Sequence, residues 1–597
     1  MSAHKLPPGK RLIICCDGTW QNSDSGFTES TICNPTGTLQ VPSNVTLISR
    51  AFRRQCHDGT MQIIEYQAGV GSSGSLTDVV TGGAFGMGIS ENIREIYSFI
   101  CANYDEGDEI ILVGFSRGAF TARSVAGMVG NIGLLTRGGM EFFYPIFKDM
   151  QNWRNKKYRD PFPGLPFDDK PVGEKAGAKY RRMLIERGLT RVNQEGGRGA
   201  RIKIKAVAVW DTVGSLGIPR ISWRGIGASR ELRFFDTSLS DHVEHAFQAL
   251  ALDEHRPPFE PSVWERRAEN GQSTELRQCW FPGNHGNCGG GWLDAGISNM
   301  ALAWMMDQLA SIGVEFDEAT IYRLFAGLER YYRYEAAKAS QGQGQGRGRG
   351  RVRGRDRGRD RGRDHSEASS ALQRMISMSE PDPNASAGKK GWFAAKPRWA
   401  VDAIFRGNAP VRPWGLGALL KPTGILYKLV GFSTRTPGLY KKPDPATGRP
   451  TRAFLEDTNE RVHSSVRVRL ALAGLGLNDR CLWDAPALKG RWRLRKTTDS
   501  FADAIPLAVA TWEPPVSAVV CPDVVEQQQQ QQQQRALTPD VHRRYRWVWE
   551  YCGPESDAPP QRTLVEEVLG PYERQLVRLS GGTPNVYEFA EGIEVEL

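Results

Sequence analysis

Residues 109–122 read Glu109-Ile110-Ile111-Leu112-Val113-Gly114-Phe115-Ser116-Arg117-Gly118-Ala119-Phe120-Thr121-Ala122. The apolar run ending at Val113 predicts a strand buried on both faces. The residues from about Ala119 to Ile132 predict a helix. Between them stands Gly-x-Ser-x-Gly, a weak match in isolation. Flanked by a buried strand and a helix, it describes an elbow that lifts the Ser116 hydroxyl above a sheet. Gly114 and Gly118 allow the sharp turn and the close approach of neighbouring elements. The backbone N–H of Arg117, at the helix start, would face a developing oxyanion.

The same alternation extends on both sides of this stretch. Strands are expected at Leu12–Cys16, Gln62–Tyr66, Ile202–Trp210 and Arg277–Phe281. Helices are expected at Val45–Cys56, Ile89–Tyr104, Asp241–Leu252 and Ser298–Ile312. Strands alternating with helices predict an α/β chain with a mostly parallel, doubly wound sheet. Residues 136–200 interrupt the rhythm with Pro, Gly, basic residues and the aromatics Phe142, Phe143, Tyr144 and Phe147. An insert of that size is expected to cap a site.

A length of 597 residues suits two to four domains. A catalytic domain is expected over 10–330, with 136–200 as a cap-like insert. An Arg-Gly-rich linker over 338–395 cannot bury apolar surface and is expected to be disordered. A C-terminal extension over 396–597 is expected to pack partly on the core, with a low-complexity glutamine run at 527–534. Trp414–Phe432 is expected to be a buried helix pair around a Pro-containing turn, with a segment lying on a membrane surface as the alternative.

A serine nucleophile needs a base, and the base needs an orienting carboxylate. In open parallel sheets such groups gather at the carboxyl ends of strands. Asp211 follows the strand ending at Trp210, and His285 follows the strand ending at Phe281. Gly289 to Gly291 suit a tight loop that holds His285. Asp253 and His255 are alternatives as cap or substrate contact. Asp294 could orient His285 in place of Asp211, and His463 could pack back onto the site. Gly18 and Thr19, after the first strand, are candidates for a second backbone oxyanion donor. Asp17 is unusual there, because a carboxylate opposes a developing anion; it could instead shape the loop. The glycines at 69–71 and 82–88 match no phosphate-binding pattern and are read as loops bordering the site.

CDGTWQN, NVTLISRAF, YQAGVG, GGAFGMGISENIREIYSFI, GDEIILVGFSRGAFTAR, VWDTVGSLG, HAFQALALDEHRPPFEP and WFPGNHGNCGGG occur in that order. This series resembles an uncharacterised α/β-hydrolase domain family that includes the first class of lipase effectors of bacterial type VI secretion. The resemblance implies an α/β-hydrolase-like fold, a Ser116–His285–Asp211 triad and phospholipase activity on glycerophospholipids. Asn287 and Cys288 are unusual around the His loop. The Arg-Gly and glutamine tracts are not family features and suggest a eukaryotic member.

Serine ester hydrolysis through an acyl-enzyme calls for no metal and no cofactor. A non-lipid carboxylesterase or thioesterase would use the same residues. A non-catalytic interaction protein, binding RNA through the Arg-Gly tract, is a different alternative. Ten scattered cysteines with no CxxC argue against disulfide or zinc frameworks. With no long apolar run or signal-peptide core, an intracellular, cytoplasmic place is expected. The net charge of +10 is unevenly spread. Nine Arg against three Asp in 341–364, and fourteen Lys or Arg against eight Asp or Glu in 136–200, exceed it together. The rest of the chain is near neutral. A basic, aromatic insert carrying Lys156 and Lys157 beside a serine nucleophile would suit an anionic membrane surface.

Overall fold

The computed structural model describes residues 9–18, 41–69, 83–213, 238–324, 415–419, 431–471, 483–497 and 546–579, apart from short gaps, and four two-residue strands. The Arg-Gly tract, the glutamine run, Thr19, Lys156, Lys157 and most of 414–430 lie outside the described residues. Gly415–Leu419, expected to be helical, is buried but irregular.

Ten strands form one sheet. They are β1 (Arg11–Cys16), β2 (Gln62–Gln67), β3 (Glu109–Phe115), β4 (Ile204–Trp210) and β5 (Val243–Ala251), followed by β6 (Glu275–Phe281), β7 (Glu460–His463), β8 (Trp492–Thr497), β9 (Arg546–Tyr551) and β10 (Thr563–Glu567). Their order is β2-β1-β3-β4-β5-β6-β7-β10-β9-β8. The first eight in that order pair in parallel, and β9 and β8 complete the edge antiparallel. The chain starts at β1, turns one way to β2 and the other way to β3. The crevice at this switch point, at the strand carboxyl ends, is where such sheets place functional groups.

Side chains alternate across the sheet with period two. Ile13, Cys15, Ile111, Val113 and Trp210 face α1 (Asn44–Ala51) and α8 (Gly296–Ala310). Leu12, Ile14, Ile110, Leu112 and Val209 face α2 (Gly83–Asn103) and α3 (Arg117–Ile132). Burial on both faces explains the unbroken apolar runs.

Three sequence expectations need correction. Asp241–Leu252 is not a helix: Val243–Ala251 is strand β5, paired in parallel with β4 and β6. Its Ala, Gln and Leu residues are good helix formers, but backbone pairing on both sides overrides that preference. The glycine-rich stretch from Gly83 to Gly88 is the start of α2, not a loop.

The described part of the 136–200 insert does not cap the sheet's carboxyl end. Its helices α4 (Arg137–Met140), α5 (Phe143–Asn152) and α6 (Ala176–Glu186) pack on α2 and on the far end of α3. Arg181 donates to the Gly130 carbonyl at 2.8 Å, and Thr190 to that of Ile132 at 2.8 Å. Arg191 donates to the Tyr104 and Cys101 carbonyls at 2.5 and 2.8 Å. Ser116 lies at the opposite end of this 16-residue helix, about 24 Å away at about 1.5 Å per residue. Of the aromatics, Phe147 is buried and Phe143 stacks on Tyr97 at 5.2 Å, while Tyr144 stays exposed.

Candidate active site

Ser116 sits between β3 and α3 with φ 58° and ψ −118°. A non-glycine residue in this region costs about 1–3 kcal/mol, so its surroundings must enforce it. The two glycines make the turn possible. A Cβ on Gly114 would lie 2.6 Å from the Gly118 carbonyl oxygen, and one on Gly118 would lie 2.1 Å from that of Cys16. The Ser116 amide donates to the Trp210 carbonyl at 3.1 Å, fixing the elbow to the end of β4.

His285 begins the short helix α7 (His285–Gly289), which Asn284 caps by accepting from the Asn287 amide. The Asn287 side chain accepts from the Asn284 amide and donates to the Ala418 carbonyl at 2.9 Å. The Asn287 that stands out in sequence is thus a loop anchor. Cys288 is fully buried, and its carbonyl accepts from Asn44 at 3.0 Å. Gly289 abuts the Phe115 ring, where a Cβ would sit 2.0 Å from Cε2, and Gly290 has φ +89°. The imidazole lies against Phe115 at 4.6 Å and meets Phe259 edge-on at 4.9 Å.

Nε2 of His285 lies 2.7 Å from Ser116 Oγ, and Nδ1 lies 2.6 Å from Asp211 Oδ2. An ionised carboxylate only accepts, so Nδ1 carries the proton and Nε2 offers its lone pair to the Ser116 hydroxyl. Asp211 is fully buried. Burial alone would raise its pKa; the Arg435 charge and the His285 hydrogen bond more than offset this and hold it well below the usual carboxylate range.

The other candidates take different places. Asp17 is buried and accepts from the Gly18 amide at 2.6 Å, Ser43 at 2.7 Å, Thr46 at 2.8 Å and Tyr66 at 2.7 Å. It ties β1 to α1 and β2, and its burial pushes its pKa up against those donors. The Gly18 N–H is therefore committed to Asp17, which corrects its expected role as an oxyanion donor. Arg117 occupies the first position of α3. His255 does not join the chain; it stacks on Phe432 at 4.2 Å, with Nδ1 3.1 Å from the Ser433 carbonyl. Asp253 accepts from the Gly283 amide and the Trp483 indole. Asp294 accepts from the Gly296 and Ala418 amides, while Asp211 takes the His285 Nδ1. His463 is fully buried between Ser465 at 2.7 Å and Glu573 at 2.6 Å.

Two further groups escaped the sequence reading. Glu254 accepts the His285 amide at 3.2 Å and is held by Arg256 at 2.7 Å. Arg435 grips both oxygens of Asp211. Glu254 stands between Asp253 and His255 in HAFQALALDEHRPPFEP, where a carboxylate beside two candidates was a usable signal; Arg435 belongs to no quoted motif.

Among the described residues no helix is long and apolar enough to cross a membrane. Residues 10–308 match the family described as type VI secretion system phospholipase effector Tle1-like, catalytic domain. The uncharacterised protein YEL023C of Saccharomyces cerevisiae is 27% identical over 265 residues, 42% of this chain and 32% of the yeast protein. The chain thus spans about a third of that relative's length. A fungal relative agrees with a eukaryotic member. Two solved structures overlay loosely. The Tle1 effector bound to the VgrG spike has a TM-score of 0.22 at 18% identity, over 48% of this chain and 52% of that one. An uncharacterised Pseudomonas aeruginosa protein has a TM-score of 0.30 at 15% identity, over 71% and 61%. On the match over residues 10–308, the chain belongs to the Tle1-like phospholipase effector catalytic-domain family.

Proposed function

We propose that the protein is a serine hydrolase that cleaves a carboxylic ester of a phospholipid. The observation that carries this reading is the unbroken hydrogen-bonded chain from Ser116 Oγ through His285 to Asp211. Family membership supports a lipid substrate.

In this reading His285 Nε2 takes the Ser116 proton as Oγ bonds to the acyl carbon. Asp211 stabilises the imidazolium through Nδ1–H. The carbonyl oxygen becomes an oxyanion beside the Arg117 N–H, where the α3 dipole adds positive potential. The imidazolium then protonates the departing alkoxide, leaving an acyl-Ser116 ester. Water, deprotonated by His285, attacks that ester; its collapse frees the fatty acid and returns the proton to Ser116 Oγ. Phe115 and Phe259 restrict the imidazole to one orientation, which favours this geometry.

The test is release of fatty acid from glycerophospholipid vesicles by the full-length chain. Wild type is expected to release it and Ser116→Ala is not. Equal release by both would rule the reading out. Parallel assays with triglycerides and short p-nitrophenyl esters separate lipid from non-lipid ester specificity.

A further inference from the structure

Arg435 lies 224 residues beyond Asp211, on the segment 431–440. Its two terminal nitrogens donate to both oxygens of Asp211, to the Ala251 carbonyl at 2.8 Å and to the Phe259 carbonyl at 2.8 Å. The segment is anchored on either side. The Ser433 amide donates to the His255 carbonyl at 2.9 Å. The Gly438 amide donates to Glu460 at 2.8 Å, and the Trp492 indole to the Pro437 carbonyl at 3.2 Å. Arg435 is itself buried.

We propose that Arg435 is a positioning residue for the Ser116–His285–Asp211 chain, fixing the plane of the Asp211 carboxylate so that Oδ2 meets Nδ1. The inference rests on the catalytic reading of Ser116. Residue 435 lies outside the family-matched residues 10–308, so a segment from the far side of the Arg-Gly tract completes the candidate site. Asp211 itself has φ 41°, a backbone conformation that needs outside support. A planar fork of donors suits that task, because it fixes both carboxylate oxygens at once. Oδ2 is shared by His285 Nδ1 at 2.6 Å and Arg435 Nη2 at 3.0 Å, and Oδ1 also takes the Ala251 amide at 3.1 Å.

The experiment measures the rate at which an alkyl fluorophosphonate labels the full-length chain. Wild type, Ser116→Ala, Arg435→Lys, Arg435→Met and Arg435→Ala are compared. Folded fraction is followed by circular dichroism. Arg435→Met is expected to label roughly 10²-fold more slowly per folded molecule. Arg435→Lys is expected to fall between it and wild type. Added guanidinium ion is expected to restore labelling in Arg435→Ala, since it can refill the vacated fork. Arg435→Met labelling at the wild-type rate per folded molecule, or Arg435→Ala unaffected by guanidinium ion, would overturn the inference. A wild type that fails to label, or an equally labelled Ser116→Ala, would instead overturn the reading of Ser116, and the inference with it.

Discussion

The backbone amide of Ser116 donates to the carbonyl of Trp210 at 3.1 Å. Phe115 pairs with Trp210 in the parallel register of β3 and β4. Ser116 and Asp211 are therefore delivered at one level by neighbouring strands, each as the first residue after the ladder. Their separation is set by sheet geometry rather than by loop conformation. Only His285 must be brought in by a loop, and α7 with its capping box performs that task.

Gly118 tests the elbow. The nearest atoms to an added Cβ are backbone oxygens and carbon of Cys16 and Asp17, at 2.1 to 2.5 Å. Backbone in a central sheet cannot yield as a side chain can. Gly118→Ala is expected to lower stability by about 3 kcal/mol, read by urea denaturation, and to reduce fluorophosphonate labelling of the folded fraction. Wild-type stability would show that the close approach is not a constraint.

Asp211→Asn separates chemistry from stability. It preserves shape but removes the charge that faces both His285 and Arg435. Ester hydrolysis is expected to fall roughly 10³–10⁴-fold. The Arg435 guanidinium is left buried without its counter-charge, so stability is expected to fall by about 3–5 kcal/mol. Ser116→Ala, by contrast, removes one hydroxyl and is expected to melt close to wild type while losing hydrolysis. Equal melting of both variants would contradict the role assigned to the Arg435 ion pair.

Asp17→Asn probes the turn after β1. Among the described residues, the Gly18 amide and the hydroxyls of Ser43, Thr46 and Tyr66 donate to Asp17. An amide NH₂ would confront one of those donors. A loss of about 1–3 kcal/mol is expected, measured by chemical denaturation, with no added effect from Tyr66→Phe once the network is broken. Full additivity of the two substitutions would indicate that they act independently.

Glu275 links stability to pH. Burial would raise its pKa, but the hydrogen bond from His245 and the charge of Arg277 lower it to about 2. An acid depressed in the folded state stabilises above its unfolded pKa, about 4.3. That contribution fades as pH falls from there through about 2. The stability gap between wild type and Glu275→Gln is thus expected to be widest near neutrality and to narrow below about pH 4.3. A gap independent of pH would contradict the ion-pair origin.

The readability of this chain from sequence divides by range. Ser116 was legible because an apolar strand, two glycines and a helix lie within a few residues of it. Asp211 and His285 were legible as positions because each follows closely on a buried strand. β5 was misread because its Ala, Gln and Leu residues carry a helix preference that only its two strand neighbours overturn. The described part of the 136–200 insert was misread because Phe142, Phe143 and Phe147 look like a surface patch until they pack with α2 and α3. Arg435 was invisible: it sits alone in an irregular segment, and only the fold brings it to Asp211. The Gly18 amide was misjudged for the same reason, since the carboxylate that claims it is positioned by α1 and β2.

The most direct test of the account is to map the site of covalent reaction. Full-length protein is treated with an alkyl fluorophosphonate, digested and analysed by mass spectrometry. The account predicts a single adduct on the peptide bearing Ser116, absent when Ser116 is replaced by Ala and strongly reduced in Asp211→Asn. An adduct on another residue, or equal labelling of the Ser116→Ala variant, would contradict it.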